Sequence, residues 1–185
     1  MQTTEFLSEI IRELHHTSSL IADEDAEKLV NTIFESNKIF VAGAGRSGFM
    51  SKSFAMRMMH MGIDAYVVGE TVTANMEKDD LLIIASGSGE TKGLVSIAEK
   101  ARKIGGKVAA VTIYPDSTIG SLADFAVKLP GAPKDQFESD FKTIQPMGSL
   151  FEQTLLLFFD AVILRFMNKK GLNSQTMYGK HANLE

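Results

Sequence analysis

The amino-acid sequence predicts an α/β fold: a three-layer, doubly wound parallel sheet of five strands, with two helices ahead of it and a long helix behind. Three observations carry this expectation. Five short runs rich in Val, Ile and aromatic residues recur through the middle of the chain. Helix-compatible segments alternate with most of them, which suits a parallel sheet covered on both faces. On either side of this region the apolar residues recur at helical spacing instead.

In chain order, residues 1–36 carry two amphipathic patterns, Phe6, Ile10 and Leu14 and then Ala26, Leu29, Val30 and Ile33, which predict two helices. The sheet core is expected over 37–130, with strands at KIFVAG (38–43), DAYVVG (64–69), DLLIIAS (80–86), KVAAVTI (107–113) and DFAVKL (124–129). Between them 46–61, 90–104 and 117–123 are expected helices. The interval 70–79 has no helical pattern, and 130–146 holds three of the four prolines in a polar stretch, so both are expected loops. The second is long enough to be functional. From 147 to 170 runs a helix apolar on nearly every side, through Leu150, Phe151, Leu155, Phe159 and Phe166. Such a helix needs cover on more than one face and predicts an oligomer interface. A tail, 171–185, follows.

Composition narrows the function. With 185 residues, 44% of them hydrophobic, one globular domain over 1–185 is expected. The net charge of −4 and the lack of a dense Lys/Arg run argue against nucleic acid. The absence of cysteine excludes disulfides and thiolate chemistry. Leu155 to Met167 is broken by Asp160 and Arg165 and is too short for a membrane span. No leader pattern opens the chain, so the cytoplasm is the expected location.

Two glycine turns carry the chemistry. The first, GAGRSG, has the Gly43-x-Gly45-x-x-Gly48 spacing between an expected strand and helix, with Glu70 some way on, and so fits a dinucleotide loop. The second, SGSGET at 86–91, interleaves Gly87 and Gly89 with three hydroxyls, Ser86, Ser88 and Thr91, at the start of another helix. Hydroxyls, glycine-exposed amides and a helix N-terminus together suit a phosphate monoester. If the sheet takes the expected flavodoxin-like order, 2-1-3-4-5, both turns border one crevice, beyond the ends of the first and third strands. Ser47 and Arg46 would then face the second turn, and a sugar phosphate fits better than a pyrophosphate.

Moving a carbonyl along a sugar needs a group that carries a proton between adjacent carbons. Glu152, near the start of the apolar helix and just after the long loop, is the best-placed carboxylate. The competing reading is a capping box, Ser149-x-x-Glu152, in which the carboxylate bonds the helix start. Asp160 is expected to pair with Arg57 or Arg165. His15 and His16 read as structural or exposed. His60 closes the helix that begins near Arg46, roughly 20 Å from that turn at about 1.5 Å per residue, and so cannot serve its own crevice. A contact with the helix dipole is its simpler reading. His181 lies in a tail that must dock somewhere if ordered. No spacing suggests a metal site.

GAGRSG followed by SGSGET, with Glu152 on a late helix, resembles the sugar isomerase (SIS) domain family. FVAGAGRSGFMSKSFAMRMMHMG, KTIQPMGSLFEQTLLLFFDAVI and the ending HANLE extend the likeness over essentially the whole chain. The resemblance implies a reversible isomerase acting on a 3-hexulose 6-phosphate to give fructose 6-phosphate through a cis-enediolate. It also implies no cofactor and no metal, a homotetramer, and functional coupling to a 3-hexulose 6-phosphate synthase. By matching motif, the turn 86–91, Glu90 included, would hold the phosphate, Ser47 and Arg46 would complete the pocket, and Glu152 would be the base. Lys180-His181 is similar, in that dipeptide alone, to a Lys-His pair that reaches a neighbouring site in a related domain. His181 and His60 are therefore catalytic candidates from a neighbouring subunit. Another aldose–ketose isomerase, or a non-catalytic module that senses a sugar phosphate, remains the alternative.

Overall fold

A computed structural model describes residues 2–134 and 141–184; 135–140, the middle of the expected second loop, lie outside the described residues. Twelve elements follow one another along the described chain: α1 (Thr3–Ser18), α2 (Asp23–Glu35), β1 (Ile39–Gly43), α3 (Gly45–His60), β2 (Ala65–Val67), β3 (Leu81–Ala85), α4 (Lys92–Ile104), β4 (Lys107–Thr112), α5 (Thr118–Leu122), β5 (Phe125–Lys128), α6 (Ser149–Lys170) and α7 (Ser174–Tyr178). The strands lie in the order β2-β1-β3-β4-β5, every pair parallel.

Side chains alternate across a strand, and here both sides are apolar. Ile39, Val41, Leu81, Ile83 and Val111 pack into one layer with α2, α3 and α6. Phe40, Ala42, Leu82, Ile84 and Val108 pack into the other with α4 and α5. The expected three layers and flavodoxin-like order are therefore present. The winding reverses at β1, whose two neighbours are β2 and β3, and this opens a crevice beyond the carboxyl ends of β1 and β3.

Glycine sets how closely α3 follows β1. A Cβ on Gly48 would lie 2.7 Å from the Gly43 carbonyl oxygen, so the first turn of the helix sits directly against the strand end. Helix α6 lies beside α3, with Phe54 stacked on Phe159 at 4.1 Å between ring centroids, and beside α2 through Phe34 on Phe166. Its inner face is buried, while Leu157 and Leu164 on the outer face are 52% and 65% exposed. None of the described helices is long and apolar enough to cross a membrane.

Three local expectations are corrected. Helix α6 starts at Ser149 rather than 147, because Met147 adopts a left-handed conformation, φ 58°, that interrupts a helix. The tail contains a short helix, α7, capped by the Asn173 side chain accepting from the Thr176 amide at 3.0 Å. Its one turn is too short to show helical periodicity. Asp160 is exposed, and Arg165 pairs with Glu27 instead.

Candidate active site

The crevice encloses a cavity of about 220 Å³. One wall comes from the strand ends: Ala44 and Ser47 at the start of α3, and Ser86, Gly87, Ser88 and Thr91 after β3. The facing wall comes from the late part of the chain, with Pro133 and Lys134 from the loop and Gly148, Phe151 and Glu152 from the start of α6. The two glycine turns therefore meet across one cavity, as the sheet order requires.

In the second turn the hydroxyls are oriented by the backbone. Ser86 Oγ accepts from the Gly89 amide at 3.1 Å and Ser88 Oγ from the Glu90 amide at 3.2 Å. An oxygen that accepts in this way keeps its own O–H free to donate. Thr91 occupies the N-cap position of α4 without its side chain capping the helix. Three hydroxyls thus stand at the N-terminus of a 13-residue helix, where the dipole favours an anion.

The glycines of this turn have a different reason from the one the sequence suggests. They do not bare the amides of Gly89 and Glu90 to a ligand, since those amides donate to the Ser86 and Ser88 hydroxyl oxygens. Gly89 has φ +66°, and a Cβ there would lie 1.8 Å from Ser117 Oγ, so glycine lets the turn press against the start of α5. The Ile119 amide donates to the Gly89 carbonyl at 3.0 Å, and the Ile113 amide to the Gly87 carbonyl at 3.2 Å. Glu90 also points away from the cavity. Its carboxylate accepts from the Thr118 amide at 2.8 Å and hydroxyl at 2.7 Å, bonds that hold its pKa below the usual carboxylate value. Glu90 braces the turn rather than lining the crevice.

Glu152 is 7% exposed. Its carboxylate does not close a capping box: Ser149 is already inside the helix, Gly148 is the N-cap, and Glu152 Oε2 accepts from Arg46 Nε at 2.5 Å. These residues stand 106 positions apart, joined because α3 and α6 begin side by side. Arg46 is itself mostly exposed, its side chain 60% accessible. A buried carboxylate and a hydroxyl turn share one cavity, with an arginine paired to the carboxylate beside it, which is a set able to bind an oxyanion and move a proton next to it.

The histidines lie elsewhere. His60 is 5% exposed at the far end of the 16-residue α3, and His181 stacks on it at 5.3 Å between ring centroids. Burial first, then the Arg57 charge and His181, push the His60 pKa below its usual value. His15 and His16 are exposed on α1, with His16 stacked on Phe141. Glu70, which completes the dinucleotide spacing, is exposed and paired with Lys52. Among the described residues no group of three or more His, Asp or Glu is placed to hold a metal ion.

Sequence reasoning missed Lys134, a cation on the cavity wall, and Phe151, whose ring lies against Gly87. The prolines around Lys134 mark a loop but say nothing of where its side chains end. A larger hollow, about 760 Å³, lies between α1, α2 and α6 and is lined mainly by apolar side chains. It holds no turn suited to phosphate.

Comparison with known proteins agrees with this geometry. The SIS domain family matches residues 32–157. The chain is 58% identical over 185 residues to a 3-hexulose-6-phosphate isomerase of Bacillus subtilis, with 100% of each chain covered. A 3-hexulose-6-phosphate isomerase of Mycobacterium gastri is 40% identical across 98% of this chain and 91% of that one. A crystal structure from Methanococcus jannaschii, from which 3-hexulose-6-phosphate isomerase function was inferred, has a TM-score of 0.84 at 34% identity, covering 98% of this chain and 99% of that one. With its two glycine turns and Glu152 gathered around one crevice, and with these matches over most or all of its length, the chain belongs to the SIS domain family.

Proposed function

We propose that the protein is an isomerase that interconverts D-arabino-3-hexulose 6-phosphate and fructose 6-phosphate. The full-length likeness to 3-hexulose-6-phosphate isomerases supports the substrate. One juxtaposition supports the chemistry: a buried carboxylate, Glu152, across a 220 Å³ cavity from the hydroxyls of Ser86, Ser88 and Thr91.

The substrate's own chemistry fits a site of this economy. A C3 ketone with phosphate on O6 has no free hydroxyl placed to close a five- or six-membered ring, so it arrives open-chain. The phosphate binds the 86–91 turn, with Ser47 and Lys134 on adjacent walls. Glu152 takes the C2 proton and the electron pair moves into a cis-enediolate; the hydroxyl proton passes from O2 to the adjacent O3, and the same carboxylate returns its proton to C3, leaving the carbonyl at C2. Arg46 engages Oε2 and steadies the carboxylate, so Oε1, on the Gly148 side, is assigned the transfer. Hydroxyl and guanidinium donors around the crevice stabilise the enediolate oxygens.

The reverse reaction must also open the fructose 6-phosphate ring. His181, exposed and stacked on buried His60, is assigned that proton transfer at a neighbouring copy's crevice, with His60 as its support. The arrangement goes with a homotetramer, whose contacts would cover Leu157, Leu164, Phe6 and Ile11, each 46% exposed or more. Functional coupling to a 3-hexulose 6-phosphate synthase follows from the substrate.

The test is a coupled assay. A 3-hexulose 6-phosphate synthase is supplied with ribulose 5-phosphate and formaldehyde, and fructose 6-phosphate is read with and without this protein. Formation above the protein-free control is expected, and its absence sinks the assignment.

A further inference from the structure

We propose that Glu13, on α1 and far from the crevice in sequence, is a positioning residue that sets the place of Glu152; the proposal rests on the isomerase reading above. Glu13 is a buried carboxylate, 6% exposed, with three hydrogen-bond donors from a single short stretch of chain. Thr143 Oγ1 donates to it at 2.6 Å, the Ile144 amide at 2.8 Å and Gln145 Nε2 at 2.9 Å. These donors lie 130 to 132 positions further along. Burial pushes the Glu13 pKa up, but the bonds from Thr143, Gln145 and Ile144 outweigh it and hold the carboxyl below its usual value. An ionised carboxylate at such a place is tolerable only while those donors stay put. One conformation of the stretch 143–145 is thereby selected, tightened further by the Gln145 amide donating to Thr143 Oγ1 at 3.0 Å.

That stretch leads directly into the base. The Pro146 carbonyl accepts from the Ser149 amide at 3.2 Å, and the Gly148 carbonyl from the Glu152 amide at 3.0 Å. Between them Met147 is held at φ 58°, a conformation a residue with a side chain rarely adopts unless its surroundings impose it. One turn along α1 from Glu13, Thr17 Oγ1 lies 3.3 Å from Thr154 Oγ1, two residues beyond Glu152. Helix α1 therefore grips the chain on both sides of the base, at 143–145 before it and at 154 after it. The phosphate turn lies on the opposite wall and is hydrogen-bonded to Val111, Ile113 and Ile119, a different set of residues from the 143–145 donors that hold Glu13.

This division of labour makes the test specific. A base displaced by a fraction of an ångström loses rate, whereas a phosphate turn left in place keeps its affinity. Glu13→Gln keeps the shape but turns an amide toward the three donors. It is expected to lower kcat about 10- to 100-fold while KM stays within about threefold. Thr143→Ala removes one donor from the loop side and is expected to lower kcat less, in the same direction. Thr143→Ser, which restores the hydroxyl, should return it to near the wild-type value. Hydrogen exchange at the Ile144 amide should quicken in Glu13→Gln and Thr143→Ala but not in Thr143→Ser. Wild-type kcat in both disruptive variants, or a rise in KM as large as the fall in kcat, overturns the proposal. If Glu13→Gln does not fold, the two Thr143 variants decide by the same criteria. If the wild-type protein makes no fructose 6-phosphate, the isomerase reading fails separately, and Ile144 exchange alone decides whether Glu13 holds the loop.

Discussion

Helix α3 begins at the crevice and ends beneath the tail, and its two ends treat buried titratable groups in opposite ways. At the first, Arg46 stands beside Glu152 and the hydroxyls of Ser86, Ser88 and Thr91 lie across the cavity, so the carboxyl faces a guanidinium and O–H groups. At the second, His60 is just as buried, but its charged neighbour is Arg57, whose Nη1 lies 3.3 Å from His60 Nδ1. Burial and that charge both favour the neutral ring. One end gives its buried group a partner of opposite charge type, and the other gives it a like one. The difference shows why burial alone does not mark a catalytic group: a buried acid becomes useful only where a partner orients it and a cavity brings it a substrate.

Glu152→Gln tests the crevice end most severely. A general base contributes about 10²- to 10⁴-fold, so kcat should fall by about 10³-fold while fructose 6-phosphate still raises the melting temperature. Turnover within tenfold of wild type would break the contrast there. Ser86→Ala removes a hydroxyl that the Gly89 amide orients; a bond to a charged ligand is worth about 1.5–3 kcal/mol, so KM should rise roughly 10- to 100-fold with a smaller change in kcat. A kcat effect larger than the KM effect would move Ser86 from binding to chemistry. At the far end, His181→Ala should leave the forward rate within about twofold and lower the reverse rate by up to about 100-fold, the lower range of acid catalysis. Equal loss in both directions would sink its assignment to ring opening.

The smallest effect sharpens the comparison through pH. With its folded pKa below the ordinary histidine value of 6.5, His60 takes up a proton more readily in the unfolded chain. Its contribution to stability is full above 6.5 and declines as pH falls from there through the folded value. The melting temperature should therefore drop on acidification across that window. In His60→Phe, which retains the stack on His181 without a titrating ring, the drop should be shallower. Parallel pH profiles for the two proteins would show that the far end does not exclude charge.

Much of this was legible in sequence. The five strands reveal themselves because each is short, apolar on both faces and bounded by polar residues; the structure trims their ends by one or two positions without changing their order. Gly43 and Gly48 are legible because close helix–strand approach needs them at that spacing. Glu90 was misplaced because adjacency to the hydroxyl turn says nothing of which way its side chain leaves the backbone, and Thr118 draws it outward. Helix α7 was missed because one turn has no period to detect. Glu13 on α1 gave no signal at all, being an ordinary acid among Glu9, Arg12 and exposed neighbours until Thr143, Ile144 and Gln145 close over it.

Local spacing was enough for the fold class and the hydroxyl turn, because each follows from periodicity or from residues within one turn of one another, whereas the winding reversal follows from the strand order that the assembled sheet adopts. The meeting of Arg46 with Glu152, of His60 with His181 and of Glu13 with the 143–145 stretch is settled by packing alone. Each joins residues more than 100 positions apart, and whether they touch depends on how α1, α3, α6 and the tail seat against one another. Interdigitating side chains such as Phe54 and Phe159 fix that seating, and no short pattern in the chain encodes it.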